Sequence, residues 1–135
     1  MAEITEELIT KLAVATAKVI KSYTLYPVNE HLFDIAPSGT SKNLDMDAVE
    51  AWRLMILTSI VAVPTTAGGD AIKIGVVSGG TPFWHKIKQS PTADESVVFA
   101  GQLILAEGEY IRGRFEYTSA PSQLDLYING YWIEV

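Results

Sequence analysis

From residue 31 to its end the chain is a succession of short apolar or alternating runs, each stopped by a turn signal after about ten residues. HLFDI (31–35) alternates and runs into Pro37-Ser38-Gly39. NLDMDAVEAW (43–52) fits a helical turn as well as the lead-in to a strand. RLMILTSIVAV (53–63) is β-branched and apolar on both faces, as a central strand covered on two sides would be, and Pro64 stops it. AIKIGVV (71–77) precedes the turn Ser78-Gly79-Gly80-Thr81, and FWHKIKQ (83–89) reads as a half-exposed strand before Ser90-Pro91. SVVFAGQLIL (96–105) reads as two short strands, and Glu107-Gly108 as a tight turn. YIRGRFEYT (110–118) alternates, with Ile111, Phe115 and Tyr117 on one face and Arg112, Arg114 and Glu116 on the other. Runs this short, punctuated this often, predict a mainly β protein: an antiparallel β-sandwich or jelly roll over residues 22–135.

Before Ser22 the period changes. Ile4, Leu8, Leu12 and Val19 recur at near-helical spacing, with Ile9, Ala13, Ala17 and Ile20 beside them. Thr5 can cap, Glu6 and Glu7 suit the positive helix end, Lys18 and Lys21 suit the other, and Glu7 can pair with Lys11. The pattern predicts a helix over residues 6–21, forming an N-terminal helical arm (1–21) ahead of the β domain. The β-branched content of AVATAKVIKSYTLYPV offers a strand as the rival, so residues 13–27 stand open between helix and strand.

The chain ends on LDLYINGYWIEV (124–135), which admits two readings. A type I′ hairpin at Asn129-Gly130 pairs Ile128 with Tyr131, Leu126 with Ile133 and Tyr127 with Trp132. The same register sets Asp125 against Glu134, and like charges directly opposite destabilise. A single strand with a bulge at Asn129-Gly130 avoids that repulsion and is favoured.

Length and charge narrow the function. The 135 residues suit one domain, 48% hydrophobic and 19% charged, with a net charge of −6. No basic block is present, so a nucleic-acid partner is not expected. With no cysteine there are no disulfides and no thiolate metal sites. The longest apolar run, residues 54–63, is too short to span a bilayer, so no membrane partner is expected. The first residues are acidic, which does not fit a signal peptide and suggests a protein made and used without classical secretion.

The search for chemistry finds little. His31 and His85 lie in separate strands outside any zinc-binding spacing. Asp45, Asp47 and Glu50 lack the remaining ligands of a calcium loop. Ser78-Gly79-Gly80-Thr81 has no lysine in phosphate-loop register, and no serine nucleophile elbow occurs. The expectation is therefore no enzyme, no metal and no cofactor. Trp84 and Trp132 can stack on a sugar or anchor an interface, and the ordinary alternative is core packing. Arg112 and Arg114 share a strand face and can meet acids of a neighbouring subunit, or simply be solvated.

Three stretches carry a resemblance: Leu57-Thr58-Ser59-Ile60-Val61, Leu105-Ala106-Glu107-Gly108-Glu109-Tyr110-Ile111-Arg112, and the strand from Tyr127 to Trp132. Together they resemble small β-sandwich structural proteins of tailed bacteriophages. In those a strand reading L-T-S-I-V-V precedes an L-x-x-G-D-x-I-R hairpin and a terminal strand containing Tyr/Ser-Gly. Here Glu109 stands where Asp is usual. The resemblance covers about the last 80 residues and rests on strand and turn order, not on a catalytic signature. It implies a non-enzymatic virion component, made in the host cytoplasm: a capsid decoration or cement protein, or a neck or tail adaptor. Its partners would be copies of itself, as a trimer for example, and other virion proteins such as the major capsid protein. Candidate contact residues are Leu8, Leu12, Trp84, Arg112, Arg114 and Trp132. L-x-L-Y-I-N-G is also similar to the hairpin of laminin-G and legume-lectin-like jelly rolls. That likeness implies the alternative of a carbohydrate-binding module, with a glycan as partner.

Overall fold

A computed structural model describes residues 11, 24–66, 69–118 and 120–135. The expected arm, with Leu8 and Leu12, lies outside the described residues except for Lys11. Among the described residues eight strands follow one another: β1 (Tyr26–Ala36), β2 (Lys42–Asp45), β3 (Arg53–Pro64), β4 (Ala71–Ser78), β5 (Thr81–Gln89), β6 (Val97–Leu105), β7 (Tyr110–Glu116) and β8 (Ser122–Glu134). They form two four-stranded antiparallel sheets, β1-β8-β3-β6 and β2-β7-β4-β5.

The pairings have a simple logic. β1 pairs with β8, β2 with β7, β3 with β6 and β4 with β5, first with last and so on inward. This is one antiparallel ribbon folded at its midpoint and then rolled, so that β8 also meets β3 and β7 also meets β4. The winding is that of a jelly roll. The midpoint turn is the glycine pair foreseen from the sequence: Ser78 faces Thr81, and Gly79 and Gly80 hold φ of 58° and 81°. Two successive positive φ values match the right-handed twist of the flanking strands, and glycine takes them at no steric cost.

Between the sheets, strand alternation fills one core. Leu57, Ile60, Ile72, Ile74, Ile111, Phe115, Leu124, Leu126 and Ile128 are fully buried within it. β3 lies centrally in its sheet, and its other face is partly covered too. Leu54 is buried there with Val135 in a second cluster flanked by Ile104 and Ile133. Residues 46–50 have no regular secondary structure and lead to a turn at 51–52 before β3, held by Met46 N–H on the Ile111 carbonyl (2.9 Å) and Val49 N–H on the Glu109 carbonyl (2.9 Å).

Three expectations need correcting. Residues 97–105 form one strand, not two, with Gly101 at φ 153° inside it. Tyr117 leaves the core face, because β7 ends at Glu116 and Tyr117 adopts φ 47°, which breaks the alternation and exposes the ring. β8 does run unbroken through Asn129-Gly130, but the bulge belongs to its partner. Leu57 faces Gly130 and Ser59 faces Asn129, so Thr58 of β3 is the extra residue. Gly130 makes the room, since a β-carbon there would lie 2.2 Å from the Ile56 carbonyl oxygen. The second sheet repeats the device: β5 bulges at His85 opposite Gly75, whose β-carbon would lie 2.4 Å from the Phe83 carbonyl oxygen.

Candidate interaction surface

The solvent side of the first sheet collects apolar side chains that alternation would normally make polar. On β1 the outward set is His31, Phe33 and Ile35, with Phe33 63% and Ile35 59% exposed. Register extends this set across the sheet. His31 stands beside Tyr127 of β8, Tyr127 beside Val61 of β3, and Val61 beside Val98 of β6. In the adjoining row Phe33 stands beside Asp125, and Asp125 beside Val63. Tyr127 is 40% exposed, and Val98 is exposed at the β6 edge.

The rings are held in place. The His31 imidazole stacks on Tyr127 at 4.4 Å between centroids, with planes 9° apart, and meets Phe33 at 5.3 Å. Its Nε2 lies 2.8 Å from Asp125 Oδ1, and the Gln123 amide donates to the same oxygen at 2.9 Å. Asp125 is only 8% exposed. A buried carboxylate needs such partners, and by holding His31 it also fixes the aromatic row.

The opposite flank of the sandwich is a cleft of about 330 Å³ between the edges of β5 and β6. Val76, Phe83, Leu103 and Ile104 supply its apolar walls, and Ser78, His85, Lys11 and Glu109 its polar groups. The Lys11 ammonium donates to the Ile104 carbonyl and to Glu109 Oε1, the latter at 3.1 Å. Burial pushes the Glu109 carboxyl up. The Ala106 N–H, the Ser78 hydroxyl and Lys11 outweigh it and hold the group below the usual carboxylate range.

The residues singled out from sequence lie elsewhere. Trp132 packs against the core between Tyr26, stacked at 4.1 Å, and Arg53, whose guanidinium sits 3.8 Å from the ring centroid. Trp84 is half-buried on β5, with the Lys73 ammonium 5.7 Å from its ring. Arg112 and Arg114 face outward as expected but have partners within the chain. Arg112 grips Asp45 of β2 through two bonds of 2.7 and 3.0 Å, and Arg114 donates to Asn43 at 2.9 Å. His31 and His85 lie in different sheets, and among the described residues no three histidine, aspartate or glutamate side chains converge as a metal site. Phe33, Ile35 and Tyr127 were not foreseen as a group. Their signal, an apolar residue at every second position of HLFDI, does not say which face is wet. Trp52, also not foreseen, is 52% exposed at φ 65°, with its carbonyl taken by the Val135 N–H at 2.9 Å.

No protein-family model matches this chain, and no curated protein matches it. Among solved structures it is similar to the nucleoplasmin-like N-terminal domain of Drosophila FKBP39, at 9% identity and a TM-score of 0.37. That similarity covers 82% of this chain and 93% of the other.

Proposed function

We propose that this chain is a non-enzymatic structural protein that works by burying surface against other proteins. In line with its sequence resemblance, we place it in a tailed-phage virion, as a capsid decoration protein or a neck or tail adaptor. The observation that carries the reading is the apolar row on the solvent side of the first sheet: Phe33, Ile35, His31, Tyr127 and Val98. Contiguous exposed apolar surface marks an interaction site, and aromatic anchors dominate such contacts. Stacking of His31 on Tyr127 and the bond to Asp125 order these side chains in advance, which lowers the entropy cost of docking.

The sugar-binding alternative gains nothing from its two tryptophans. Tyr26 and Arg53 already cover the Trp132 ring, and Trp84 is half-buried beside Lys73. The test is a double variant, Phe33→Asp with Tyr127→Lys, compared with wild type by sedimentation velocity. The expected result is a folded variant that stays monomeric at concentrations where wild type assembles. Equal assembly of the two would remove the apolar row from the reading.

A further inference from the structure

The two flanks of the sandwich differ in charge. One flank is formed by the edge strands β1 and β2, the other by the edge strands β5 and β6. β1 and β2 hold Glu30, Asp34 and Asp45 against Lys42 alone, and Asp47 and Glu50 follow directly. β5 and β6 hold Lys86 and Lys88 and no carboxylate. In a chain of net charge −6, a lysine-only edge is a local exception.

Pairing within the chain leaves part of each set unanswered. Asp34 pairs with Lys42 at 2.9 Å, Asp45 with Arg112, and Lys88 with Glu95 at 3.5 Å. Among the described ion pairs, neither Asp47 nor Lys86 has an opposite charge. The Glu30 carboxyl is held above its usual range, first by burial and then by the charge of Asp47, with no cation offsetting them there. Both flanks also present apolar anchors: Phe33 and Ile35 on β1, Phe83 and Ile87 on β5. Strand addition is blocked at β5, because Pro82, the bulge at His85 and the two lysines guard that edge.

We propose that copies of this chain dock head to tail, the basic β5–β6 flank of one copy on the acidic β1–β2 flank of the next. This rests on the proposed structural role and names its partner as a second copy. The contact joins two different surfaces, so repetition closes a ring or extends a filament rather than stopping at a two-fold dimer. Lys86 and Lys88 meet Asp34, Asp47 and Glu30, and the aromatic and aliphatic anchors beside them exclude water. Charge steering of this kind sets orientation and register and weakens as salt screens it.

The test uses two full-length variants, a basic-edge reversal (Lys86→Glu with Lys88→Glu) and an acidic-edge reversal (Asp34→Lys with Asp47→Lys). Melting curves establish that each is folded, and the single changes Lys86→Glu and Asp47→Lys replace any double variant that is not. The solution mass of each is measured by light scattering, alone and in equal mixture. Each variant alone should fall to the 14.7 kDa of one chain: with Asp45 and Glu50 neutralised by Arg112 and Arg53, both flanks of each variant then carry like charge. Their mixture should assemble again, because each flank finds its opposite where the two variants alternate. Assembly of either variant alone at wild-type strength would overturn head-to-tail docking and leave the structural role standing. Variants that stay apart when mixed would overturn it as well. A wild type that is monomeric throughout would overturn docking between copies and leave contact with other virion proteins as the structural role.

Discussion

Gly130 of β8 lies beneath the backbone of Ile56 in β3, with the position of a β-carbon only 2.2 Å from the Ile56 carbonyl oxygen. The closeness follows from the bulge at Thr58, which pushes β3 toward β8 at that point. Gly130→Ala must therefore displace backbone, not a flexible side-chain tip. Overpacking of this kind costs about 1–3 kcal/mol or more. Urea denaturation checks it, and Gly75→Ala should behave alike, because its β-carbon would meet the Phe83 carbonyl oxygen at 2.4 Å. Gly39→Ala is the control: nothing lies within 4 Å, so only its φ of 73° opposes the change. A Gly130→Ala protein as stable as wild type would show that β3 is not bulged against it.

Two carboxylates should respond to pH in opposite senses. The Glu109 pKa is lowered in the folded chain, so its contribution is present above the ordinary carboxylate pKa and lost as pH falls through the lowered value. Glu109→Gln should be less stable than wild type at neutral pH, and the gap should close in acid. The Glu30 pKa is raised, so folding favours its protonated form and stability is lost as pH rises through the raised value. Glu30→Gln should be more stable than wild type at neutral pH, with little difference in acid. Denaturation midpoints at about pH 3 and pH 7 check both signs.

Asp125 should prove structural for the surface row. Asp125→Ala leaves the Gln123 amide and the His31 ring without their shared acceptor, at about 1–3 kcal/mol. The His31 ring should then lose its fixed stack on Tyr127, which proton NMR ring-current shifts would report. Unchanged shifts would mean that cross-strand stacking alone holds the row.

The aromatic residues divide into core and surface. Trp132→Ala removes a ring clamped by Tyr26 and Arg53 and should cost about 3–5 kcal/mol. Phe33→Ala should change stability by about 0.5 kcal/mol or less, because the ring is already in solvent. The same change should weaken self-association. Paired melting and sedimentation measurements separate the two effects.

The strands were largely legible because their punctuation is local. Pro64 ends β3 and Gly79-Gly80 turns β4 into β5 through backbone preferences that belong to those residues themselves. The repulsion between Asp125 and Glu134 argued against a terminal hairpin, and Asp125 lies instead beside His31, 94 residues away. Which strand bulges was not legible, since the space at Gly130 is taken by the backbone of Ile56, 74 positions upstream. The winding was not legible in detail either, because it is fixed by pairings such as β1 with β8 that no short window contains.

The surface was read least well, for a related reason. Alternation in HLFDI separates two faces but does not say that Leu32 turns inward while Phe33 and Ile35 face water. Arg112 and Arg114 were correctly placed outward, yet Asp45 lies 67 residues from Arg112, and only the fold brings them together. Tryptophan drew attention by its chemistry, but Trp132 is bound up in the sandwich end.

The most direct test of the central claim is the solution mass of the full-length protein, by light scattering during size-exclusion chromatography across a concentration series. Assembly through the apolar row and the charged flanks should give a mass that rises with concentration to a multiple of 14.7 kDa and falls again with added salt. A mass fixed at 14.7 kDa at every concentration and salt level would contradict it.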